Sequence, residues 1–490
     1  MSDVAAVRPR RSLVLAACMM ATFTAAVEST IVATALPTIS VELQGAQLTS
    51  WVFTAYLLTQ AVTIPVYGRL ADLYGRKPIF LAGSAIFFVG SALCGLATDI
   101  TSLIAFRALQ GSGAGCVQPI AYTIIGDIYR PVERARIQGM LSGVFGVAAI
   151  AGPSLGTLLV AQVTWRLVFW VNLPVVAAAM AMLVAFLHED TTPRRQPIDV
   201  AGATLLMVGI GGVIFGADRW GHIGAAIALT SFFVGLAALV AFARHEVRTS
   251  APMVPRTLWR NRVVVVGSLG AFAVGGAIMS VIASLPGYVQ GVMGGTTGTA
   301  GLVLGIMVIV WTFGSIGAGW LMVHITYRIT GYAGACGIIA GALVLAMLTP
   351  QSSVADAVLG VSILGIGLGF CNTTWIVCVQ TGVAYHERGS ATSAVMFMRF
   401  LGQALGAAVG GIILSFSWQT LLPGVADPLG RLLDRQAVIA LSERADIAQA
   451  ASRAFHGVFL LTACMGLVAL ALTLRLPEGL SAGTSRQTTA

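Results

Sequence analysis

Long apolar stretches separated by short polar segments dominate the chain. Fourteen of them are long enough for a helix to cross the ~30 Å hydrocarbon core of a bilayer. None alternates apolar and polar residues over about ten positions, as membrane-barrel strands do. The pattern predicts an all-α integral membrane protein, a bundle of about 14 transmembrane helices. We number the stretches spans one to fourteen; they cover residues 13–35, 49–71, 78–97, 101–126, 134–160, 166–188, 199–217, 222–242, 261–289, 297–322, 330–349, 354–380, 388–416 and 453–475.

Composition excludes an ordinary soluble enzyme. Of the 490 residues, 57% are hydrophobic and 10% are charged, whereas a soluble domain has about 25% charged residues. The mean hydropathy is +0.88. The 7 cysteines all fall in apolar runs without metal-ligand spacing, so we interpret them as packing residues and expect no metal site.

The net charge of +9 would suggest nucleic-acid binding in a soluble protein. Here most of the basic residues lie in short segments on one side of the predicted bundle, so they indicate topology and no nucleic-acid partner. This bias predicts a multi-pass protein of the bacterial cytoplasmic (inner) membrane with both termini in the cytoplasm. The basic segment 244–262 is predicted to be a cytoplasmic linker and the polar segment 417–453 an external loop.

Ionisable residues inside the membrane mark candidate functional sites because burying them is costly. At a rise of about 1.5 Å per residue, Glu28 lies about 10 Å from the outer end of span one, and Arg107 lies about 9 Å from the outer start of span four. If both face one cavity, access from alternate sides would change the proton affinity of Glu28. A static buried ion pair is the alternative. Arg399, about 15 Å into span thirteen, is equally consistent with a substrate contact or a helix–helix anchor.

The segment between spans two and three carries a specific motif, GRLADLYGRKP, over residues 68–78. It resembles the G-x-L-A-D-x-x-G-R-K loop signature of the major facilitator superfamily. Its residue types suit a cytoplasmic gate, since a glycine permits close helix approach, an aspartate can accept from a helix N-terminus and a second glycine permits a tight turn. The predicted gating residues are Gly68, Asp72, Gly75, Arg76 and Lys77.

Three further segments resemble signatures of this superfamily's fourteen-helix drug:proton antiporter family. Span four carries RALQGSG from Arg107, which is similar to a motif whose arginine is implicated in proton movement. Span one carries ESTIVATALP from Glu28, with Glu where the family more often has Asp. Span five carries the glycines and proline of the antiporter signature, which suit a hinge. Its predicted hinge residues are Gly143, Gly152, Pro153 and Gly156.

The resemblance covers the whole chain and implies a domain organisation. It gives a six-helix N-terminal half over 1–190, two inserted helices and a linker over 191–260, and a six-helix C-terminal half over 261–480. The last segment, 481–490, is rich in Ser, Thr and Gly and is expected to be a disordered tail.

The predicted function is proton-coupled multidrug efflux, in which amphipathic or cationic small molecules leave the cell in exchange for protons. Glu28 and Arg107 would couple the proton. Export of an endogenous lipid, siderophore or metabolite is the alternative, and a membrane receptor or scaffold is disfavoured by the intramembrane charges. Apolar, aromatic and polar residues at membrane depth are candidates for the substrate cavity. They are Tyr56, Gln60, Gln110, Tyr122, Asn372, Trp375 and Arg399.

The sequence indicates no enzyme. It has no clustered nucleophile, base or metal set and no phosphate-binding G-x-x-x-x-G-K-[ST] loop, so an ion gradient is the expected driving force and no cofactor is expected. We expect a monomer in the lipid bilayer. Members of the family can work with a periplasmic adaptor, but nothing in 417–453 identifies one.

Overall fold

The computed structural model describes residues 3–43, 48–189, 199–218, 225–249, 252–422, 428–433 and 441–476. All regular elements within these ranges are helical, which confirms the predicted fold class. The predicted tail 481–490 and parts of the predicted external loop 417–453 lie outside these ranges.

The first seven helices of the described residues lie between Asp3 and Phe186. Asp99 begins the fourth of them by accepting hydrogen bonds from the backbone N–H groups of Thr101 and Ser102 at 3.0 and 2.9 Å. Span six is divided at Val171 into a short helix and a longer one. The helices are α1 (Asp3–Glu42), α2 (Thr49–Tyr74), α3 (Arg76–Cys94), α4 (Ile100–Ile128), α5 (Pro131–Gln162), α6 (Leu167–Trp170) and α7 (Asn172–Phe186).

Ten further helices follow in the part of the chain that the structure describes. A π-helical turn over Tyr288–Val292 extends α11, and a 3₁₀ turn over Tyr385–Glu387 precedes α15. They are α8 (Val200–Asp218), α9 (Ala225–Arg248), α10 (Arg256–Arg260), α11 (Arg262–Gly287), α12 (Thr297–His324), α13 (Tyr327–Ala346), α14 (Val354–Thr381), α15 (Arg388–Leu421), α16 (Pro428–Leu433) and α17 (Leu441–Thr473).

All fourteen predicted spans coincide with helices. By length and apolar composition, 10 segments of the described chain could cross a membrane, while α8 contributes a shorter apolar run over Val200–Gly216. Threonine, glutamine and glycine lower the mean hydropathy of α2 and α4, which also form predicted spans. These helices make the chain a multi-pass membrane protein.

The helices form two compact units. The first contains residues 1–211, 237–265 and 376–397, and the second contains 212–236, 266–375 and 398–490. In the first unit α2 and α3 pack on α4, and α1 packs on α5 and α7. Its apolar core includes Ile31, Trp165 and Phe169, all at most 1% exposed. In the second unit α13 packs on α17.

Candidate functional site

Glu28 and Arg107 form an ion pair in the interior of the first unit. Glu28 lies on α1 and Arg107 lies on α4, and both side chains are completely buried. The Arg107 Nη1 atom donates to Glu28 Oε1 at 2.6 Å. The structure therefore brings together the two predicted proton-coupling residues, 79 positions apart in the chain.

Arg107 has further contacts with α2 and with its own helix. Its Nε donates to the backbone oxygen of Val52 on α2 at 3.1 Å, and its Nη1 also donates to Gln110 Oε1 at 2.7 Å. Its guanidinium carbon lies 4.1 Å from the ring centre of Tyr56, a cation–π distance. Two of the predicted cavity residues, Tyr56 and Gln110, thus belong to the immediate surroundings of the ion pair.

Asn172 completes the surroundings of Glu28. It is the first residue of α7 and is 3% exposed, and its Nδ2 donates to Glu28 Oε2. The sequence predictions did not include this residue. A signal for it existed, because it lies six positions into span six from the outer side, about 9 Å deep and level with Arg107.

A chain of hydrogen bonds extends from the ion pair to α3 and α6. Gln110 Nε2 donates to Ser91 Oγ at 3.1 Å, and Ser91 Oγ donates to the backbone oxygen of Phe169 at 2.8 Å. Within the described residues, Arg107 Nη2 and the Tyr56 hydroxyl have no hydrogen-bond partner although both are buried. The site can therefore offer one further donor from the guanidinium and one hydroxyl to water or to a ligand.

Asp72 accepts hydrogen bonds at the N-terminus of α15. Its Oδ1 accepts from the backbone N–H of Gly389 at 3.0 Å and its Oδ2 from that of Ser390 at 2.7 Å. Four residues earlier on α2, a methyl group at Gly68 would collide with the side chain of Ser393. A carboxylate at a helix N-terminus is favoured by the helix dipole and by the free N–H groups there.

Arg76 lies between two carboxylates at the start of α3. Its Nε donates to Asp127 Oδ2 at 3.0 Å, and its Nη2 lies 3.2 Å from Asp72 Oδ1. Nη2 also donates to the backbone oxygen of Tyr385 at 2.7 Å. Arg388 Nη1 donates to Asp127 Oδ1 at 2.5 Å. The predicted gating residues Asp72 and Arg76 are thus parts of one network with Asp127 and Arg388.

Burial changes the proton affinity of both carboxylates in this network, which lie just beyond the ends of spans two and four. Burial raises the pKa of Asp72 to about 6, although Arg76 and the N–H groups of α15 oppose the shift. Burial also raises the pKa of Asp127 against the opposing effect of Arg76 and Arg388.

Lys77 and Glu189 cap the facing ends of α3 and α7. Both oxygens of Glu189 accept from backbone N–H groups of α3, from Arg76 at 2.9 Å and from Lys77 at 2.9 Å. In return Lys77 Nζ donates to the backbone oxygens of Val184 and Leu187 at 2.8 Å each. We call this pair of contacts the Lys77–Glu189 clasp. Gly75, with φ +99°, forms the turn before α3, a conformation that suits only glycine.

The glycines of span five lie on α5, and two of them face α1. A methyl group at Gly152 would collide with Thr30, and one at Gly156 would collide with Thr34. These glycines therefore permit the close approach of α5 to the helix that carries Glu28. Gly143 is half-buried on α5. The side chain of Pro153 lies outside the part of the chain that the structure describes.

The remaining predicted cavity residues divide between the two units. In the first unit Gln60 is 4% exposed, and the backbone oxygen of Tyr122 accepts from Gln380 Nε2 at 3.1 Å. In the second unit Arg399 Nη1 donates to Asn372 Oδ1 at 3.0 Å, and Trp375 is completely buried.

Comparison with known proteins agrees with this architecture. The Major Facilitator Superfamily profile matches residues 18–407. The multidrug transporter protein MdtP of Bacillus subtilis is 31% identical over 415 residues, which is 83% of this chain and 76% of that protein. The acurin A biosynthesis cluster MFS-type transporter of Aspergillus aculeatus is 28% identical over 424 residues, 82% of this chain and 75% of that protein.

The solved structure of the proton:xylose symporter XylE has the same fold. It superposes with a TM-score of 0.65 at 12% sequence identity and covers 95% of this chain and 96% of that one. The helical fold, the intramembrane ion pair and these relatives define a membrane transporter of small molecules, which is not an enzyme. The chain belongs to the major facilitator superfamily, as its motifs predicted.

Proposed function

We propose that this transporter exports amphipathic or cationic compounds across the bacterial cytoplasmic membrane in exchange for entering protons. The Glu28–Arg107 pair carries this proposal, because a completely buried ion pair joined at 2.6 Å is expensive to form inside a helical bundle. A reversible proton on Glu28 gives such a pair a function that a purely structural pair would lack.

Transport is coupled to the proton because the proton and a cationic substrate compete for the single negative charge of Glu28. With the site open to the cytoplasm, a cationic substrate stabilises ionised Glu28, and the proton leaves to the cytoplasm. With the site open to the outside, a proton binds Glu28 and removes the charge, so that the cation is released there. In this mechanism the bonds from Arg107 to Val52 and Gln110 in the structure hold it beside the carboxylate throughout the cycle.

The multidrug substrate class is supported by the name of MdtP, a relative that matches most of this chain. The aromatic ring of Tyr56 beside Glu28 adds an apolar surface suited to a lipophilic cation. Tyr122, Trp375, Asn372 and Arg399 are further candidates for substrate contacts. We propose that both termini are cytoplasmic, that the proton gradient replaces any cofactor and that the transporting unit is a monomer.

Export of an endogenous metabolite is a second candidate. The name of the acurin A cluster transporter, which matches 82% of this chain, places that relative in a biosynthesis cluster. A metabolite exporter would use the same ion pair and the same cytoplasmic network, so the two candidates differ only in substrate.

Transport in proteoliposomes tests the proposal. Purified protein is reconstituted, a pH gradient is imposed, and movement of ethidium is followed for wild type, Glu28→Gln and Glu42→Gln. Glu42 is a matched control: it lies on the same helix and pairs with Arg166 at 2.6 Å, but its side chain is 46% exposed. We expect Glu28→Gln to lose gradient-driven movement while retaining ethidium exchange at equal pH, and Glu42→Gln to match wild type.

Two results would contradict the proposal. If Glu28→Gln still responds fully to the pH gradient, Glu28 does not couple the proton. If the wild type moves no lipophilic cation but is folded, the multidrug substrate class is wrong and the metabolite candidate takes precedence.

A further inference from the structure

Glu28 has a second donor that comes from a different helix than Arg107. Its Oε1 accepts from Arg107 Nη1 at 2.6 Å, and its Oε2 accepts from Asn172 Nδ2. Asn172 is 3% exposed and stands at the first position of α7, next to the short helix α6. Each oxygen of this carboxylate therefore has its own buried donor.

We propose that Asn172 is a positioning residue that holds the second oxygen of Glu28 and thereby sets the pH at which Glu28 takes up its proton. This inference rests on the proposed function, in which Glu28 exchanges a proton during transport. Its role differs from that of Arg107, because the amide is neutral in every state of the cycle.

The chemistry of the amide explains why it suits this position. A guanidinium can only donate hydrogen bonds, so it is a good partner for the carboxylate and a poor one for the carboxylic acid. An asparagine side chain offers two N–H donors and one acceptor oxygen. When a proton from water forms an O–H bond on Glu28, the Asn172 oxygen can accept that O–H after the amide rotates. Asn172 can therefore bind Glu28 in both protonation states.

Few other titratable groups surround Glu28. Among the described residues, Arg107 comes from α4, Tyr56 from α2 places its ring against Arg107, and Cys94 from α3 reaches Gln110 at 3.6 Å. α5 meets this part of α1 through uncharged groups, which include a hydrogen bond from Thr30 to the backbone oxygen of Ala148. Replacing Asn172 by an apolar residue thus removes a hydrogen bond without changing any of these charges.

Infrared spectroscopy of the full-length protein in lipid tests the role of Asn172 directly. The stretching band of protonated Glu28 is identified by its absence in Glu28→Gln and is then followed as pH is varied. The Asn172 hydrogen bond is stronger to the charged carboxylate than to the neutral acid, so its loss favours the protonated form, and Asn172→Leu should move the midpoint up by about one pH unit. Asn172→Gln keeps the amide, so its midpoint should lie between those of Asn172→Leu and the wild type.

Asn372→Leu is the matched control. Asn372 is also buried and also bonds a charged side chain, in its case Arg399 at 3.0 Å, but it belongs to the second unit. The expected result is an unchanged midpoint. If Asn172→Leu does not fold, Asn172→Ser, which keeps a small donor, is titrated in its place with a smaller upward shift expected.

The outcomes separate the two proposals. If the Glu28 band does not titrate in the wild type, proton coupling through Glu28 is wrong, and the role of Asn172 fails with it. If the band titrates but removal of the Asn172 amide leaves the midpoint in place, only the role of Asn172 is overturned. An equal shift in Asn372→Leu would also overturn it, because the effect would not depend on contact with Glu28.

Discussion

Arg107 makes contacts in several directions through its guanidinium. Nε reaches Val52 on α2, Nη1 reaches both Glu28 on α1 and Gln110 on its own helix, and the plane lies over the Tyr56 ring. A lysine ammonium keeps the charge but cannot fill these directions from one position. The arginine is therefore required for its shape as well as for its charge.

Replacing this arginine by lysine should lower transport strongly. The loss of one or two charge-assisted hydrogen bonds predicts a decrease of about tenfold or more in the gradient-driven rate of Arg107→Lys. Arg166→Lys is the control, because Arg166 pairs with Glu42 near the surface with 31% of its side chain exposed. Initial rates in proteoliposomes measure the effect. Near-normal transport by Arg107→Lys would show that charge alone suffices.

At the residue scale, the sequence identified the charged residues of the site better than their neutral hydrogen-bond partners. Glu28 and Arg107 stood out because ionisable residues are rare in apolar spans. Asn172 did not, since a single amide in a span is common and serves helix packing equally well. The pairing of Asp127 with Arg388 could not be predicted either, because the two residues lie 261 positions apart and no spacing rule connects them.

Among the helices, α1 and α5 pack through small residues. Gly152 and Gly156 face Thr30 and Thr34, with no room for a methyl group at either glycine. A change of packing between these helices would move the backbone that carries Glu28. The predicted hinge role of the span-five glycines remains a prediction, whereas their contact with α1 is a feature of the fold.

A methyl group at Gly152 should impair this packing. Gly152→Ala is expected to lower the melting temperature of the purified protein and reduce transport, because the new methyl group collides with the Thr30 side chain. Adding Thr30→Gly removes the colliding atoms and should recover part of the loss. Gly411→Ala on α15, where no atom lies within 4 Å, is the control and should be neutral. Equal stability of Gly152→Ala and wild type would refute a tight contact.

The existence and type of the helices could be predicted better than their ends. Hydropathy marks where a helix enters lipid, not where its hydrogen bonds stop, so span one at 13–35 lies within a much longer α1 (Asp3–Glu42). Hydropathy does not predict the break at Val171 or the π-helical turn at Tyr288–Val292, because the surrounding sequence is apolar throughout. Such local changes depend on tertiary contacts and not on composition.

For the molecule as a whole, the distribution of basic residues predicts which side of the membrane each loop lies on. Residues 347–353, between α13 and α14, should lie outside the cell, and residue 325, between α12 and α13, should lie inside. Alkaline phosphatase fused after Ser352 should be active and the fusion after Ile325 inactive, with a fluorescent protein showing the opposite pattern. Reversed activities would invert the topology and place both termini outside.

The superfamily could be identified from short motifs because their residues meet at one place in the structure. Gly68, Asp72 and Arg76 are spaced by four positions, and the last two share the network with Asp127. The division of the chain at 190 and 260 remains a prediction. The association of residues 376–397 with the first compact unit could not be predicted, because it depends on contacts across more than 250 residues.

Lys77 is the only lysine in the sequence, and its ammonium group is engaged in the Lys77–Glu189 clasp with two carbonyl oxygens of the α7 end. An amine-directed acylating reagent therefore has a single side-chain target in the native protein. The extent of acylation reads out how often α3 and α7 separate at that end, without any engineered label. The extent of Lys77 acylation can be compared with and without substrate, or at different pH. Any difference would report a change at this end of α3 and α7 during transport.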